Sequence, residues 1–442
     1  MDFANAIIEM LGLQGVDIEK ISVAKSARKI TIAVRQKRDD CFCTRCGLQF
    51  DGVKEWCLKH LKAPPLGIYS NVEISFYQMR GVCTDCQRTE MAKAAFVHTE
   101  FASMTCGYAE VAGRLMEEIT CEAVARLLHT DGMTMWRLDQ WRMAYMEKRM
   151  RLPDNLDVTQ LCADEVHFRS VENKKRGTFQ RKTKPEFVTN LISPKAGKVI
   201  SNALGRDSVA LEETLLKLTP EQLDTVEHFS VDMHDPFIAV IKTECSNAEI
   251  AIDRFHLVQK ANEAFDKVRR SEFRLAREQK DNFQTEMLEP HRRFILVSRE
   301  KDLTRKESRM LEKLRDANKN IHTAMLLVEY FHKALDKTNV KAFRKALATW
   351  YWVIRESKLA PFVKFAKTVR KHRRYIENYI QSGLTTAVAE GLNNKIKTLK
   401  RMAYGYTNKK SFLRKILQRC GYLNHAHINT DDLFYAVTNP AF

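Results

Sequence analysis

The chain contains 442 residues, roughly three times the usual size of one domain, so two or more domains are expected. Hydrophobic residues make up 44% of the sequence and charged residues 29%, which excludes a mostly disordered chain. The first residues lack the basic region and small-residue cleavage site of a signal peptide, and no run of about 18 apolar residues occurs. The sequence therefore predicts a globular protein without a membrane-spanning segment.

Positive charge is concentrated in the second half of the chain. Lys and Arg number 73 against 55 Asp and Glu, giving a net charge of +18. Residues 254–442 contain 40 basic and 19 acidic residues, whereas residues 1–253 contain 33 and 36. Such asymmetry indicates a polyanionic partner, most often nucleic acid, although lysines scattered over a well-solvated helical surface would give the same totals.

Two Cys-x-x-Cys pairs indicate a zinc ribbon in the N-terminal segment, residues 1–95. The pairs are Cys43 with Cys46 and Cys83 with Cys86, and strand-like alternation at 30–34 and 71–77 leads into them. Two intervening residues let both thiolates of a pair bind one ion, and zinc prefers four such ligands in a tetrahedron. We therefore expect structural Zn²⁺ on these four cysteines, with three nearby substitutes for any one of them: Cys41, Cys57 and His60.

Residues 96–155 have the pattern of a helix-turn-helix DNA-binding domain. Apolar residues recur at helical spacing over 118–129, a polar break follows at 130–132, and a second helix is predicted over 133–143. Gly132 can adopt positive φ in such a turn. The second helix would present Thr134, Arg137 and Arg142 outward to DNA, and a plain helical hairpin is the alternative.

Residues 156–256 alternate strands and helices in the order of an RNase H-like α/β sheet. Strands are predicted over 158–168, 187–192, 198–203, 228–231 and 249–252. Asp164 is expected at the end of the first of these strands and Asp232 at the end of the fourth, and the two strands are neighbours in such a sheet. Two adjacent carboxylates repel each other unless a cation lies between them, and Mg²⁺ or Mn²⁺ prefers such ligands. Either aspartate alone would more often be a cap or turn residue.

The rest of the chain is predicted to be helical, as an all-helical segment over 257–385 and a last segment over 386–442. Glu390 begins a helix in which Asn394, Lys397 and Arg401 share its face, while Leu392, Ile396 and Leu399 form the core side. Residues 391–420 contain nine basic and no acidic residues, which indicates a phosphate track. The residues of this track expected to contact DNA are Asn394, Lys395, Lys397, Lys400 and Arg401.

Six stretches of the chain resemble DDE-type insertion-sequence transposases, most of all the ISL-three family. They occur in family order within about residues 36–420 and are Ala163-Asp164-Glu165, Val231-Asp232-Met233-His234-Asp235-Pro236-Phe237, Ile252-Asp253-Arg254-Phe255-His256-Leu257, Pro361-Phe362-Val363-Lys364-Phe365-Ala366-Lys367-Thr368, Glu390-Gly391-Leu392-Asn393-Asn394-Lys395-Ile396-Lys397 and Arg401-Met402-Ala403-Tyr404-Gly405-Tyr406. Thr44 stands where the family often has proline, and Thr385-Thr386-Ala387 departs from its common Thr-Asn-Gly.

The resemblance implies a multidomain α+β fold: a zinc ribbon, a helix-turn-helix, and an RNase H-like catalytic domain interrupted by a long all-helical insertion. It implies a catalytic triad of Asp164, Asp232 and Glu390, and it places Asp253 and His256 in a family motif whose role the sequence does not define. Two Mg²⁺ or Mn²⁺ ions, about 4 Å apart on the triad, would activate a water or a DNA 3′-hydroxyl and stabilise the leaving oxygen.

The function implied is that of a DNA transposase, which binds terminal inverted repeats, cleaves strands and transfers 3′-hydroxyl ends into target DNA. Its partner would be double-stranded DNA, as element ends and as target, and pairing of two ends implies a homodimer. The expected location is the bacterial cytoplasm, on the nucleoid. Three alternatives are a catalytically inactive zinc-dependent DNA-binding regulator, an RNase H-fold nuclease without strand transfer, and a helical scaffold or RNA-binding protein.

Overall fold

The computed structural model describes residues 3–173, 182–292, 296, 304–382 and 387–428. The chain folds as two compact units, Met1–Leu152 with Thr398–Phe442, and Pro153–Lys397. Each unit combines helices with one five-stranded sheet, so the predicted multidomain α+β class is confirmed. The finer division at residues 95, 155, 256 and 385 stays a prediction. Within the described ranges, no helix has both the length and the apolarity needed to cross a membrane.

The first unit begins with helix α1 (Phe3–Leu11) and a sheet of order β1-β2-β4-β3, in which β5 also pairs with β4. The strands are β1 (Val16–Ala24), β2 (Lys29–Gln36), β3 (Gly52–Ala63), β4 (Asn71–Cys83) and β5 (Arg88–Met91). Alternate apolar residues of β2 and β4 are buried in one core with α1. Period-two alternation thus predicts both of these strands correctly, whereas α1 lies outside the predicted elements.

Three helices follow in the same unit: α2 (Cys106–Glu118), α3 (Cys121–Leu127) and α4 (Gly132–Glu147). Helices α3 and α4 with their turn correspond to the predicted helix pair. The left-handed residue of the turn is His129, at φ 53°, whereas Gly132 is the first residue of α4. Asp131 caps α4 because its carboxylate accepts a hydrogen bond from the main-chain N–H of Thr134, at 2.7 Å.

The prediction that Arg142 lies on the outward face of α4 is wrong. Its side chain is 2% exposed, and its guanidinium donates to the equally buried carboxylate of Glu117 on α2. Arg142 packs over Gly113, where an added Cβ would lie 2.4 Å from Arg142 Cδ. The arginine is buried because α2 supplies both a partner carboxylate and the space left by a glycine.

The second unit is built on a sheet of order β10-β9-β6-β7-β8. β6 (Gln160–Asn173), β7 (Lys182–Ser193) and β8 (Lys198–Leu204) are antiparallel, while β9 (His228–Val231) and β10 (Glu249–Ile252) continue the sheet from β6 in parallel. The connecting helices are α5 (Ser208–Leu215), α6 (Pro220–Asp224) and α7 (Asp235–Glu244). All five predicted strands are therefore present. β9 and β10 end at the same level of the sheet, and β6 continues beyond it to Asn173.

Helices follow in the same unit over the described part of the predicted helical segment. They are α8 (Arg254–Glu278), α9 (Asn282–Met287), α10 (Arg305–Ala317), α11 (Lys319–Leu335), α12 (Val340–Ser357), α13 (Ala360–Lys371) and α14 (Arg373–Ser382). Their shared core includes Phe265, Phe331, Trp350 and Phe362. On α14, Asn378 Nδ2 donates to the main-chain oxygen of Ile250 at 2.9 Å, which satisfies an acceptor on edge strand β10.

The last two helices are α15 (Ala387–Met402) and α16 (Lys409–Cys420). Helix α16 belongs to the first unit and packs against α2 and α4. Lys415 Nζ donates to Asp139 Oδ2 at 2.8 Å and to the main-chain oxygen of Met116 at 2.9 Å. Some basic residues of the predicted phosphate track therefore form internal ion pairs.

Candidate catalytic and metal sites

Three aspartates lie side by side on three adjacent parallel strands of the second sheet. Asp232 and Asp253 directly follow β9 and β10, whereas Asp164 lies within β6, which continues to Asn173. The pairing of β6 with β9 places Asp164 level with Asp232, and the pairing of β9 with β10 places Asp232 level with Asp253. Parallel strands therefore bring together side chains that are far apart in sequence, and the two predicted catalytic aspartates are among them.

His256, in the first turn of α8, faces all three carboxylates. Its Nδ1 lies 3.6 Å from Asp232 Oδ2, and its Nε2 lies 3.8 Å from Asp253 Oδ2 and 4.0 Å from Asp164 Oδ1. Asp253 also caps α8 by accepting a hydrogen bond from the Phe255 main-chain N–H at 2.9 Å. Asp253 and His256, whose role the sequence did not define, thus lie beside the predicted catalytic aspartates.

The electrostatic environment around these aspartates disfavours ionised carboxylates. Burial raises the pKa of Asp164, His256 opposes that effect, and the charges of Asp253 and Asp232 reinforce it. The pKa of neighbouring Glu165 is raised to about 7, mainly by burial and then by the charge of Asp164. A bound cation would relieve both the burial of charge and the repulsion, so this is an environment suited to one.

Asn393 connects helix α15 to this group of carboxylates. Its side chain is 5% exposed, and its Nδ2 donates a hydrogen bond to Asp164 Oδ2. It lies on the buried face of α15 together with Ala389, Ile396 and Leu399. The sequence analysis assigned only apolar residues to that face and missed Asn393. Its position could have been noticed, because Asn393 is a polar residue at the helical spacing of the buried apolar residues.

Glu390 lies on α15 three residues before Asn393, less than one helical turn away, and its side chain is exposed. Among the described residues, only one cluster brings three or more ligand atoms of His, Cys, Asp or Glu within 4.8 Å of one another. It consists of four cysteine thiols of the first unit. Asp164, Asp232 and Glu390 are therefore spaced more widely than that.

Two buried amides next to Asp164 have polar atoms without hydrogen-bond partners in the described part of the chain. One is Asn393, through its Oδ1. The other is Asn190 on β7, which is directly opposite Asp164 and fully buried, and whose Nδ2 and Oδ1 are both unpaired. Buried polar atoms are normally satisfied, and amide and carboxylate oxygens suit hydrated Mg²⁺ or Mn²⁺. This donor set therefore fits a divalent cation beside Asp164.

The four thiols of the first unit form a second candidate metal site. They belong to Cys43, Cys46, Cys83 and Cys86, and Cys43 and Cys83 are buried. The pKa of Cys86 is raised to about 12, chiefly by its hydrogen bond with Cys46 and then by burial. Thiols this close cannot all ionise without a cation, whereas Zn²⁺ binds four thiolates at once. The donor set therefore fits zinc.

The two thiol-bearing loops are braced in the same way by carboxylates. Thr44 donates its main-chain N–H to Glu90 at 2.6 Å, and Thr84 donates its own to Asp51 at 2.7 Å. Proline at position 44 could not make this bond, so the departure at Thr44 has a local role. The substitutes considered from sequence, Cys41, Cys57 and His60, are outside the thiol cluster.

The residues predicted to contact DNA occur in both units. On α4, Arg137 is exposed and Thr134 is half-buried, while Arg142 is buried as described above. On α15, Lys400 is half-buried, and the remaining predicted residues are exposed: Asn394, Lys395, Lys397 and Arg401. Thr385 and Thr386 lie outside the described residues. Lys397 is four residues after Asn393, so the predicted face of α15 borders the buried face that carries Asn393.

Comparison with known proteins identifies the class. A family model described as a transposase matches residues 162–416, more than half of the chain. The transposase for insertion sequence element IS1001 from Bordetella parapertussis is 23% identical over 407 residues, covering 92% of this chain and 95% of that protein. The transposase for IS1557 from Mycobacterium tuberculosis is 24% identical over 245 residues, covering 51% and 55%. The solved Drosophila P element transposase strand transfer complex matches with a TM-score of 0.35 and 9% identity, covering 72% of this chain and 92% of that chain.

The matched segment includes Asp164 on β6, Asp232 after β9 and the helix with Asn393, and its class is DNA transposase. Within that class, the chain belongs to the ISL-three family of DDE transposases.

Proposed function

We propose that the second unit is an RNase H-like catalytic domain that cleaves DNA at the ends of an insertion sequence and transfers the 3′-hydroxyls to target DNA. The hydrogen bond from Asn393 to Asp164 carries this proposal, because it brings the helix with Glu390 to the part of the sheet where Asp164 and Asp232 lie side by side. The sheet order β10-β9-β6-β7-β8 and the helices between Asp232 and Glu390 support the interrupted fold.

In this proposal, Asp164, Asp232 and Glu390 hold two Mg²⁺ or Mn²⁺ ions. When held there, the ions would supply Lewis-acid activation of the attacking hydroxyl and charge stabilisation of the leaving 3′ oxygen. Main-chain N–H groups fix the two aspartates: Glu165 donates to Asp164 Oδ1 at 2.7 Å and Met233 donates to Asp232 Oδ1 at 2.6 Å. Asn393 orients the other oxygen of Asp164, so the two aspartates are positioned before DNA arrives.

The remaining assignments are part of the same proposal. The four cysteines hold a structural Zn²⁺, α4 reads terminal inverted repeats through Thr134 and Arg137, and basic residues of α15 bind the DNA backbone: Lys395, Lys397, Lys400 and Arg401. Two ends are paired by a homodimer. The five segments 1–95, 96–155, 156–256, 257–385 and 386–442 are the corresponding functional parts.

Substitution of the three carboxylates tests the catalytic assignment. Purified chain and DNA with the inverted repeats that flank the coding sequence are incubated with Mg²⁺, and strand cleavage and joining are resolved on denaturing gels. Asp164→Asn, Asp232→Asn and Glu390→Gln should each abolish cleavage and leave end binding intact. The matched control is Glu249→Gln, an exposed carboxylate at the opposite end of β10. Full cleavage by Asp164→Asn contradicts the proposal, and cleavage without joining by the unchanged chain supports the nuclease alternative.

A further inference from the structure

A cleft in the first unit separates the helix pair α3–α4 from the loop that joins α15 to α16. Its volume is about 660 Å³, and side chains from both sides line it, among them Arg126, Trp136, Gln140, Met402 and Tyr404. One wall is therefore the helix proposed to read DNA. The other is the family motif around Tyr404, which has no role in the catalytic proposal.

The loop wall is held firmly against the unit. Asn408 caps α16 by accepting a hydrogen bond from the Ser411 main-chain N–H at 3.1 Å. Tyr406 points inward: burial raises its pKa to about 12, and its ring lies 4.9 Å from that of Phe412. Lys415 then ties α16 to Asp139 of α4. The loop and the recognition helix are thus parts of one packed structure.

Tyr404 has the opposite orientation to Tyr406. Its side chain is 101% exposed, and its backbone has φ 49°, a left-handed conformation that costs energy in a residue other than glycine. Across the cleft, Trp136 is 42% exposed. Two large aromatic side chains are therefore presented to solvent on the two walls of one concave surface.

The lining of the cleft carries a small excess of positive charge, from Arg126, Lys415 and Arg419. Two carboxylates line it, and each faces a base: Asp139 is bound to Lys415, and Glu122 lies 3.8 Å from Arg126. The loop and α16 carry basic residues and no acidic residue over 398–420. Aromatic faces combined with positive charge are what single-stranded nucleic acid sites use, because every base can stack and every phosphate is anionic.

We propose that this cleft binds unpaired nucleotides of DNA, whose bases stack on Trp136 and Tyr404 while their phosphates face Arg126. Its volume is in the range that accommodates a small ligand, which suits one or two nucleotides and is too small for a duplex. The inference rests on the proposed binding of element ends by the first unit, and it specifies the form in which part of that DNA is held.

Binding of short fluorescent oligothymidine to the full chain, followed by anisotropy without divalent metal, tests the cleft. Tyr404→Ala and Trp136→Ala should each weaken single-strand binding by roughly 5- to 150-fold, the range expected for one lost base stack. Tyr404→Phe keeps the aromatic face and should bind like the unchanged chain. Trp352→Ala is the control, because Trp352 is 58% exposed but lies on α12 of the second unit. Melting curves verify that each variant is folded.

Two results would overturn the inference. One is oligothymidine affinity that does not change in Tyr404→Ala and Trp136→Ala. The other is an equal loss of affinity for a duplex of random sequence, which would make the cleft a duplex contact. The assay involves no cleavage, so Asp164→Asn should bind oligothymidine normally. If the chain fails to transfer strands but still binds oligothymidine in a way that depends on Tyr404, the result contradicts the proposed catalysis and leaves the cleft assignment intact.

Discussion

The buried pair of Lys415 and Asp139 joins α16 to the helix-turn-helix, and Asp139→Ala measures its importance. Lys415 is 9% exposed and Asp139 is 2% exposed. After the substitution, Lys415 keeps one acceptor, the main-chain oxygen of Met116, and Gln418 loses its own contact with Asp139 at 3.5 Å. A buried charge that loses its partner destabilises a protein by about 3–5 kcal/mol. For a unit of this size we expect the melting temperature to fall by roughly 6–20 °C.

Thermal unfolding of the full chain, followed by scanning calorimetry, gives the result directly. The double variant Asp139→Leu with Lys415→Met buries no charge and should recover most of the lost stability. The exposed pair of Glu329 and Lys333 on α11 provides the control, and Glu329→Ala should leave the melting temperature unchanged. If Asp139→Ala also melts like the unchanged chain, or if the double variant is no more stable than Asp139→Ala, the reasoning is refuted.

Three further substitutions probe the metal sites and the core. Asn393→Leu should weaken Mn²⁺ binding by roughly 10- to 100-fold in isothermal titration, because Asp164 loses the group that orients it; unchanged affinity would rule out that role. Cys83→Ser should remove zinc from the purified chain as measured by mass spectrometry, whereas Cys57→Ser should retain it. Burial lowers the pKa of His98 to about 4 in the folded chain. Between pH 6.5 and pH 4 the unfolded chain therefore binds a proton at His98 that the folded chain does not. The free energy of unfolding should fall by about 1.4 kcal/mol for each unit by which the pH is lowered in this range. His98→Asn should abolish that slope in denaturant titrations, and a slope that persists would assign it to other groups.

The second sheet could be predicted because its information is local. Apolar runs bounded by turn residues mark β7 and β8, and Gly197, at φ 63°, lies in the turn between them. Helix α2 could not be predicted in the same way. Its sequence contains two glycines, and its buried face depends on Arg142 and on α16, which are distant in sequence. Helix α2 is therefore stabilised by tertiary packing more than by the helix propensity of its own residues.

The candidate site residues likewise fall into those that the local sequence pattern predicts and those that it does not. Asp164 and Asp232 could be predicted as neighbours because residues at matching positions of adjacent parallel strands lie side by side. Asn393 and Arg142 could not, since each is a polar residue whose burial is explained by a partner elsewhere in the chain. The partner of Asn393 is 229 residues away, and the partner of Arg142 is on another helix. Helical periodicity places side chains on faces, but it cannot show which polar side chain will find a buried partner.

The net charge of residues 391–420 overstates the positive surface available to DNA. Of the nine basic residues, Arg414, Lys415 and Arg419 bind acidic side chains of α2 and α4. Those acidic residues belong to the half of the sequence with more acidic than basic residues, so folding neutralises part of the asymmetry between the halves. Only a Lys or Arg side chain that reaches a phosphate releases counterions from the DNA. The salt dependence of DNA binding therefore depends on the exposed basic residues of this segment and not on its total charge. Lys395, Lys397 and Arg401 of α15 and Lys410 of α16 are exposed, so these residues of the track remain available for phosphates.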